Sequence, residues 1–174
     1  VNVTMVDAGA IDLGASTVTG TYTLTAGGAV SDSGALVISG VTTVNASNGD
    51  VTLNSAANNF QGAVAIDGVN VTMVDVGAID LGASTITGTY GVTAGGVITD
   101  SGTQEITGVT TLAAGSANDI TLDTSTNNFA TAVVVTSGNN VTITDEDAID
   151  LGASTVSGAY TVTAGGDVTN SGAL

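Results

Sequence analysis

Lysine, arginine, histidine, cysteine, proline and tryptophan are all absent from this 174-residue chain. With no basic side chain to neutralise phosphate, it lacks the electrostatic means of binding nucleic acid. Without histidine or cysteine it cannot build a nucleophile–base triad of the usual kind, a disulfide or a cysteine-based metal site. Lyase chemistry on polysaccharides generally needs a basic residue to abstract a proton or stabilise charge, and none is present. The longest apolar runs, such as Ala132 to Val135, fall far short of the roughly 18 residues that span a bilayer. No charged, apolar signal segment opens the chain at Val1. Missing proline suits strands that must donate hydrogen bonds on both sides.

What remains is 16 acidic residues, 25 glycines, 43% apolar residues and only 9% charged ones. Disordered segments combine low hydrophobicity with dense charge, so this composition predicts a folded chain. The phrase AIDLGAST stands at Ala10–Thr17, Ala78–Thr85 and Ala148–Thr155. Residues 1–43 and 69–111 align without a gap, with 32 of 43 positions identical, and DVTLNSAANNF (Asp50–Phe60) matches DITLDTSTNNF (Asp119–Phe129). The copies divide as 1–68, 69–139 and a partial 140–174, one continuous segment. It opens inside one copy and stops inside another at Asn170-Ser171-Gly172, which reads as a window on a longer protein. Self-similarity on this scale is the mark of a stacked array.

From Thr17 to Thr25 the chain reads T-V-T-G-T-Y-T-L-T, a period of two that sets apolar residues or glycine on one face and threonine on the other. Val18 becomes Ile86 and Val156 in the other copies, and Leu24 becomes Val92 and Val162. Thr23 becomes Gly91, and Thr21 becomes Ala159. One face demands apolar volume and the other is permissive. Units of about 22 residues, three per repeat of about 69, fit the coils of a parallel β-helix, in which no coil can bury its apolar face alone. Parallel crossovers are overwhelmingly right-handed, so the expected fold is an all-β, right-handed β-solenoid, a rod roughly 36 Å long at ~4.8 Å per coil. Gly27-Gly28, Gly95-Gly96 and Gly165-Gly166 are expected at its corners, where φ is positive or space is tight. Tyr22, Tyr90, Tyr160, Phe60 and Phe129 recur with the repeat and are expected in the core or at corners. Asn58 and Asn127 are candidates for polar ladders.

Strands of the YTLTAGG kind, together with AIDLGAST, DVTLNSAANNF and SGVTT, make the chain resemble the repeat regions of large secreted bacterial adhesins of the filamentous haemagglutinin type. That resemblance implies a β-helical shaft carried to the cell surface or released, and it transfers no functional residue.

Paired carboxylates could serve a glycosidase, but the one dense acidic run, Asp145-Glu146-Asp147, is not repeated in the other copies and reads as a charged turn. No catalytic residue and no cofactor are expected. Calcium takes carboxylate and carbonyl oxygens, and the weak candidates for it are Asp32, Asp100, Asp145, Glu146 and Asp147. Diffuse binding of calcium or other divalent cations is a stronger expectation. Sixteen charges on the rod amount to one per ~2.3 Å, close to the one per ~1.7 Å at which duplex DNA condenses counterions. Threonines 19, 21, 23 and 25 suggest a Thr-x-Thr face, which Asn45, Asp67 and Asn70 would interrupt. The sequons at Asn2, Asn45, Asn70 and Asn140 read as incidental. Together these features point to the shaft of an extracellular bacterial fibre or adhesin, joined end to end, and laterally, to copies of itself or to further coils. The alternative is an adhesive module gripping glycan, mineral or ice through a coil face.

Overall fold

The computed structural model describes residues 1–174 as strands and turns with no helix, so no helix is long and apolar enough to cross a membrane. The first repeat holds β1 (Val3–Asp7), β2 (Ile11–Leu13), β3 (Ser16–Val18), β4 (Tyr22–Ala26), β5 (Val30–Asp32), β6 (Leu36–Ile38), β7 (Thr42–Asn45), β8 (Val51–Leu53), β9 (Asn59–Phe60) and β10 (Val64–Gly68). The second holds their counterparts β11 (Val71–Asp75), β12 (Ile79–Leu81), β13 (Ser84–Ile86), β14 (Tyr90–Ala94), β15 (Ile98–Asp100), β16 (Gln104–Ile106), β17 (Thr110–Ala113), β18 (Ile120–Leu122), β19 (Asn128–Phe129) and β20 (Val133–Ser137). The third adds β21 (Val141–Asp145), β22 (Ile149–Leu151), β23 (Tyr160–Ala164) and β24 (Val168–Asn170), with a bridged segment at Val156 in the place of β3.

Every strand pairing is parallel, and within a repeat each strand lies on the third one before it: β1 under β4 under β7 under β10, and β2 under β5 under β8. The coil therefore has three strands, and about eight coils stack into the rod. Val3 faces Tyr22, Tyr22 faces Thr42 and Thr42 faces Val64, so a coil takes about 19 to 22 residues. The period-two reading holds in detail. Val18, Tyr22 and Leu24 are buried, while Thr17, Thr19, Thr21 and Thr25 are exposed. All 36 buried hydrophobic residues form one continuous core. Neighbouring coils shield each other: Val71, Met73 and Ile79 are 1%, 0% and 1% exposed, whereas their counterparts Val3, Met5 and Ile11 on the lowest coil are only partly buried.

The repeat holds ten strands, not the nine of three whole coils. The extra strand is β10, VAIDG, which follows β9 after one short corner. Ten strands on a three-strand coil carry equivalent residues forward by one face per repeat. Stacking shows the consequence: β11, the counterpart of β1, lies on β8, and β13, the counterpart of β3, lies on β10. Asp12, Asp80 and Asp150 are therefore on three different faces, not above one another on a single face.

Close approach, rather than positive φ, explains the paired corner glycines. Positive φ occurs only at Ser47 (54°) and Gly115 (81°), in equivalent corner loops. A Cβ on Gly95 would overlap the backbone oxygen of Val76 in the coil below, so a side chain there would force the corners apart.

Candidate functional site

Side-chain ladders run up the corners of the rod and take up much of its polar chemistry. Asp32 ends β5, and its carboxylate accepts hydrogen bonds from the backbone N–H groups of Asn54 (2.9 Å) and Ser55 (3.3 Å) one coil above, and from Asn58 Nδ2 at 2.6 Å. Asn58 is fully buried, and its Oδ1 accepts from the N–H of Leu36 at 2.8 Å. The second repeat rebuilds the same ladder: Asp100 accepts from Asp123 N, Thr124 N and Asn127 Nδ2, while Asn127 Oδ1 accepts from Gln104 N. A second corner is stapled by Asn70, which donates to Asp50 and accepts from Thr89 N at 3.0 Å, and by Asn140, which links Asp119 to Ala159. The asparagines of two sequons, Asn70 and Asn140, thus serve as structural links between coils.

These contacts locate the five acidic candidates. Asp32 and Asp100 each spend their oxygens on three internal donors. Asp145 is 2% exposed, which corrects its reading as part of a charged turn. Its two oxygens accept from Phe129 N (2.8 Å) and Asp147 N (2.8 Å). Asp75, the counterpart of Asp145 in the previous repeat, does the same for Phe60 N and Gly77 N, both at 2.6 Å. Glu146 and Asp147 are exposed in the turn that follows. No three acidic side chains converge on one point. Aspartate recurs at 7, 75 and 145, but the recurrence alone does not mark the buried role: Asp7, on the lowest coil with no strand beneath it, accepts from Gly9 N and is only half-buried.

Burial pushes the Asp75 carboxyl above its usual range despite its two N–H donors. Asp119 is held below that range by the N–H of Asn140 and by the amides of Asn139 and Asn140.

Outward residues stack in columns whose composition changes from coil to coil. One runs Asp12, Ser31, Thr52, Thr72, Gly91, Thr111, Val134. Another runs Asp80, Thr99, Thr121, Thr142, Thr161. The column from Thr25 continues to Asn45 and Asp67, so a threonine face does not persist there. A half-open depression of about 140 Å³ lies over β13, β16 and β19, where Glu105 and Asn128 meet Thr85 and Thr107. Tyr22, Tyr90, Phe60 and Phe129 are buried and offer no outward aromatic platform.

The family described as "Repeats of unknown function (DUF5649)" matches residues 1–67, 68–136 and 138–174. The chain belongs to that family. Its matched segments begin close to where each ten-strand set begins, so the family's repeat and the structural repeat coincide. No curated protein and no solved structure matches the chain.

Proposed function

We propose that this segment is a non-catalytic structural shaft, part of a stiff, acidic, protease-resistant bacterial filament or adhesin displayed outside the cell. The one-face advance of each repeat carries this reading. An array built this way scatters every surface motif around all three sides. It suits a rod whose task is length and stiffness better than one that must present a single adhesive face. Side-chain ladders at the corners add rigidity without any free basic group. With no lysine or arginine, the rod has no bond for a trypsin-like protease to cut. The resemblance of its phrases to haemagglutinin-type repeat regions supports the extracellular, bacterial setting. Partners under this reading are further coils or other copies, with calcium or other divalent cations screening the carboxylates between rods.

The column Thr99, Thr121, Thr142, Thr161 favours a second reading, a coil face that grips glycan, mineral or ice. The two separate in one experiment. Rods purified alone and passed over glycan arrays, hydroxyapatite and ice should bind none of them saturably, while electron microscopy shows straight, rigid particles. Saturable binding abolished by Thr121→Val and Thr142→Val would overturn the shaft reading in favour of the adhesive one.

A further inference from the structure

We infer that the boundary between successive repeats is the yield point of the rod, so that under axial load it fails one repeat at a time; this rests on the shaft reading. At the first boundary only one of the three columns crosses in ordinary register, β8 to β11, with Val51, Thr52 and Leu53 facing Val71, Thr72 and Met73. The second column crosses with a bulge. Val64 faces Leu81 of β12, but Asp67 and Gly68 face Thr85 and Ile86 of β13, with two residues between the pairings below against three above. The N–H of Ile66, left without a main-chain acceptor there, donates to Ser84 Oγ at 3.0 Å. In the third column no strand pairs with the upper side of β9. Phe60 N donates to the Asp75 carboxylate, and one main-chain bond, Val76 N to Asn58 O at 2.8 Å, completes the crossing.

The second boundary repeats each substitution. β18 to β21 crosses in ordinary register, Val135 N donates to Ser154 Oγ at 3.2 Å, and Phe129 N donates to Asp145. Glu146 N to Asn127 O, at 2.7 Å, is the matching main-chain bond. Inside a repeat the crossing is stronger: β1 to β4, β2 to β5 and β3 to β6 pair five, three and three residues. The sparser crossing of β4 to β7, β5 to β8 and β6 to β9 still pairs four, two and two, against three and three at the first boundary with the last column unpaired. Loaded in series, every crossing carries the same force, so the boundaries with fewest ladder pairs part first. Asp75 with Ser84, and Asp145 with Ser154, are the latches that hold them.

Single-molecule pulling of the full chain between handles at its two ends reads this directly. A repeat of about 68 residues releases about 220 Å, from ~3.5 Å per extended residue less ~16 Å of folded rise. Two steps of that size and one shorter step are expected. Asp75→Ala with Ser84→Ala should lower the force of one long step and leave its length unchanged. If that variant does not fold, the oxidised pair Thr52→Cys/Thr72→Cys, which staples the first boundary, should merge the two long steps, and reductant should restore them. Steps of about 70 Å, one coil each, or a single step of about 570 Å would overturn the inference while leaving a load-bearing shaft intact. Extension without a measurable rupture force would instead sink the shaft reading itself.

Discussion

Replacing Gln104 by leucine should make the rod more stable, although Gln104 is 0% exposed and makes hydrogen bonds. Its amide Nε2 donates to Gly82 O and Gly102 O, both at 2.8 Å, but its Oε1 is buried with no donor. An orphaned buried acceptor costs about 1–3 kcal/mol, and each amide bond returns a net ~1 kcal/mol. Gly82 O keeps a second donor, the Ser84 hydroxyl at 3.1 Å, so losing the amide strands little. The first repeat supplies the control, because Leu36 fills the same position at 1% exposure. Burying a leucine there adds about 2 kcal/mol of apolar transfer. The balance favours Gln104→Leu by about 1–2 kcal/mol, a rise in Tm of about 2–8 °C for a chain this long. Differential scanning calorimetry measures it, with the reciprocal Leu36→Gln expected to lower Tm. A fall in Tm for Gln104→Leu would refute the reasoning and show that the amide's donors outweigh its stranded oxygen.

Asn58→Ala and Asn127→Ala should each destabilise by about 2–4 kcal/mol, since each strands a buried N–H and removes a charge-assisted bond to an aspartate; denaturant melts of the two should agree, and a near-neutral result would remove the ladder from the account. Asp75 has a folded-state pKa above its unfolded value, so its contribution to stability is fully present below about pH 4 and is lost as pH rises through the folded pKa. The stability of wild type relative to Asp75→Asn should accordingly be larger at pH 4 than at pH 7, and an equal difference at both would contradict the burial argument. Gly95→Ala should cost about 2 kcal/mol or more by forcing two corners apart, visible as a lower melting temperature. Millimolar calcium should raise light scattering as rods bundle side by side, an effect that high monovalent salt should blunt; a flat titration would count against diffuse divalent screening.

The alternation from Thr17 to Thr25 and the recurring aromatics made the inward face readable from residue type alone, because a strand in a stacked coil must put one set of side chains inside. Asn58 and Asn127 were also readable as a polar ladder, since an asparagine repeated at a turn can bond both along and across coils. The tenth strand was harder to see. The stretch Val44–Gly68 is only a few residues longer than its neighbours, and the corner at Gly62 looks like the many others. Whether β10 belongs to the coil beneath or starts the next one depends on stacking, which no local period records. For the same reason the buried role of Asp75 and Asp145 escaped notice: an aspartate after VTMV or VTIT resembles any solvated turn residue until a strand below it lacks its partner. Ser84 and Ser154 take their role from the neighbouring column, where the shift in register leaves the N–H groups of Ile66 and Val135 to be met by a side chain.

Cysteine pairing tests the ten-strand advance most directly, because the natural chain has no cysteine to interfere. Thr52 and Thr72 are facing neighbours on adjacent coils, at a spacing of ~4.8 Å that a disulfide can span. Whole-coil stacking would instead set Asp80 above Thr52. Mild oxidation should close Thr52→Cys/Thr72→Cys nearly completely and leave Thr52→Cys/Asp80→Cys reduced. A bond in the second pair, with the first left open, would contradict the account.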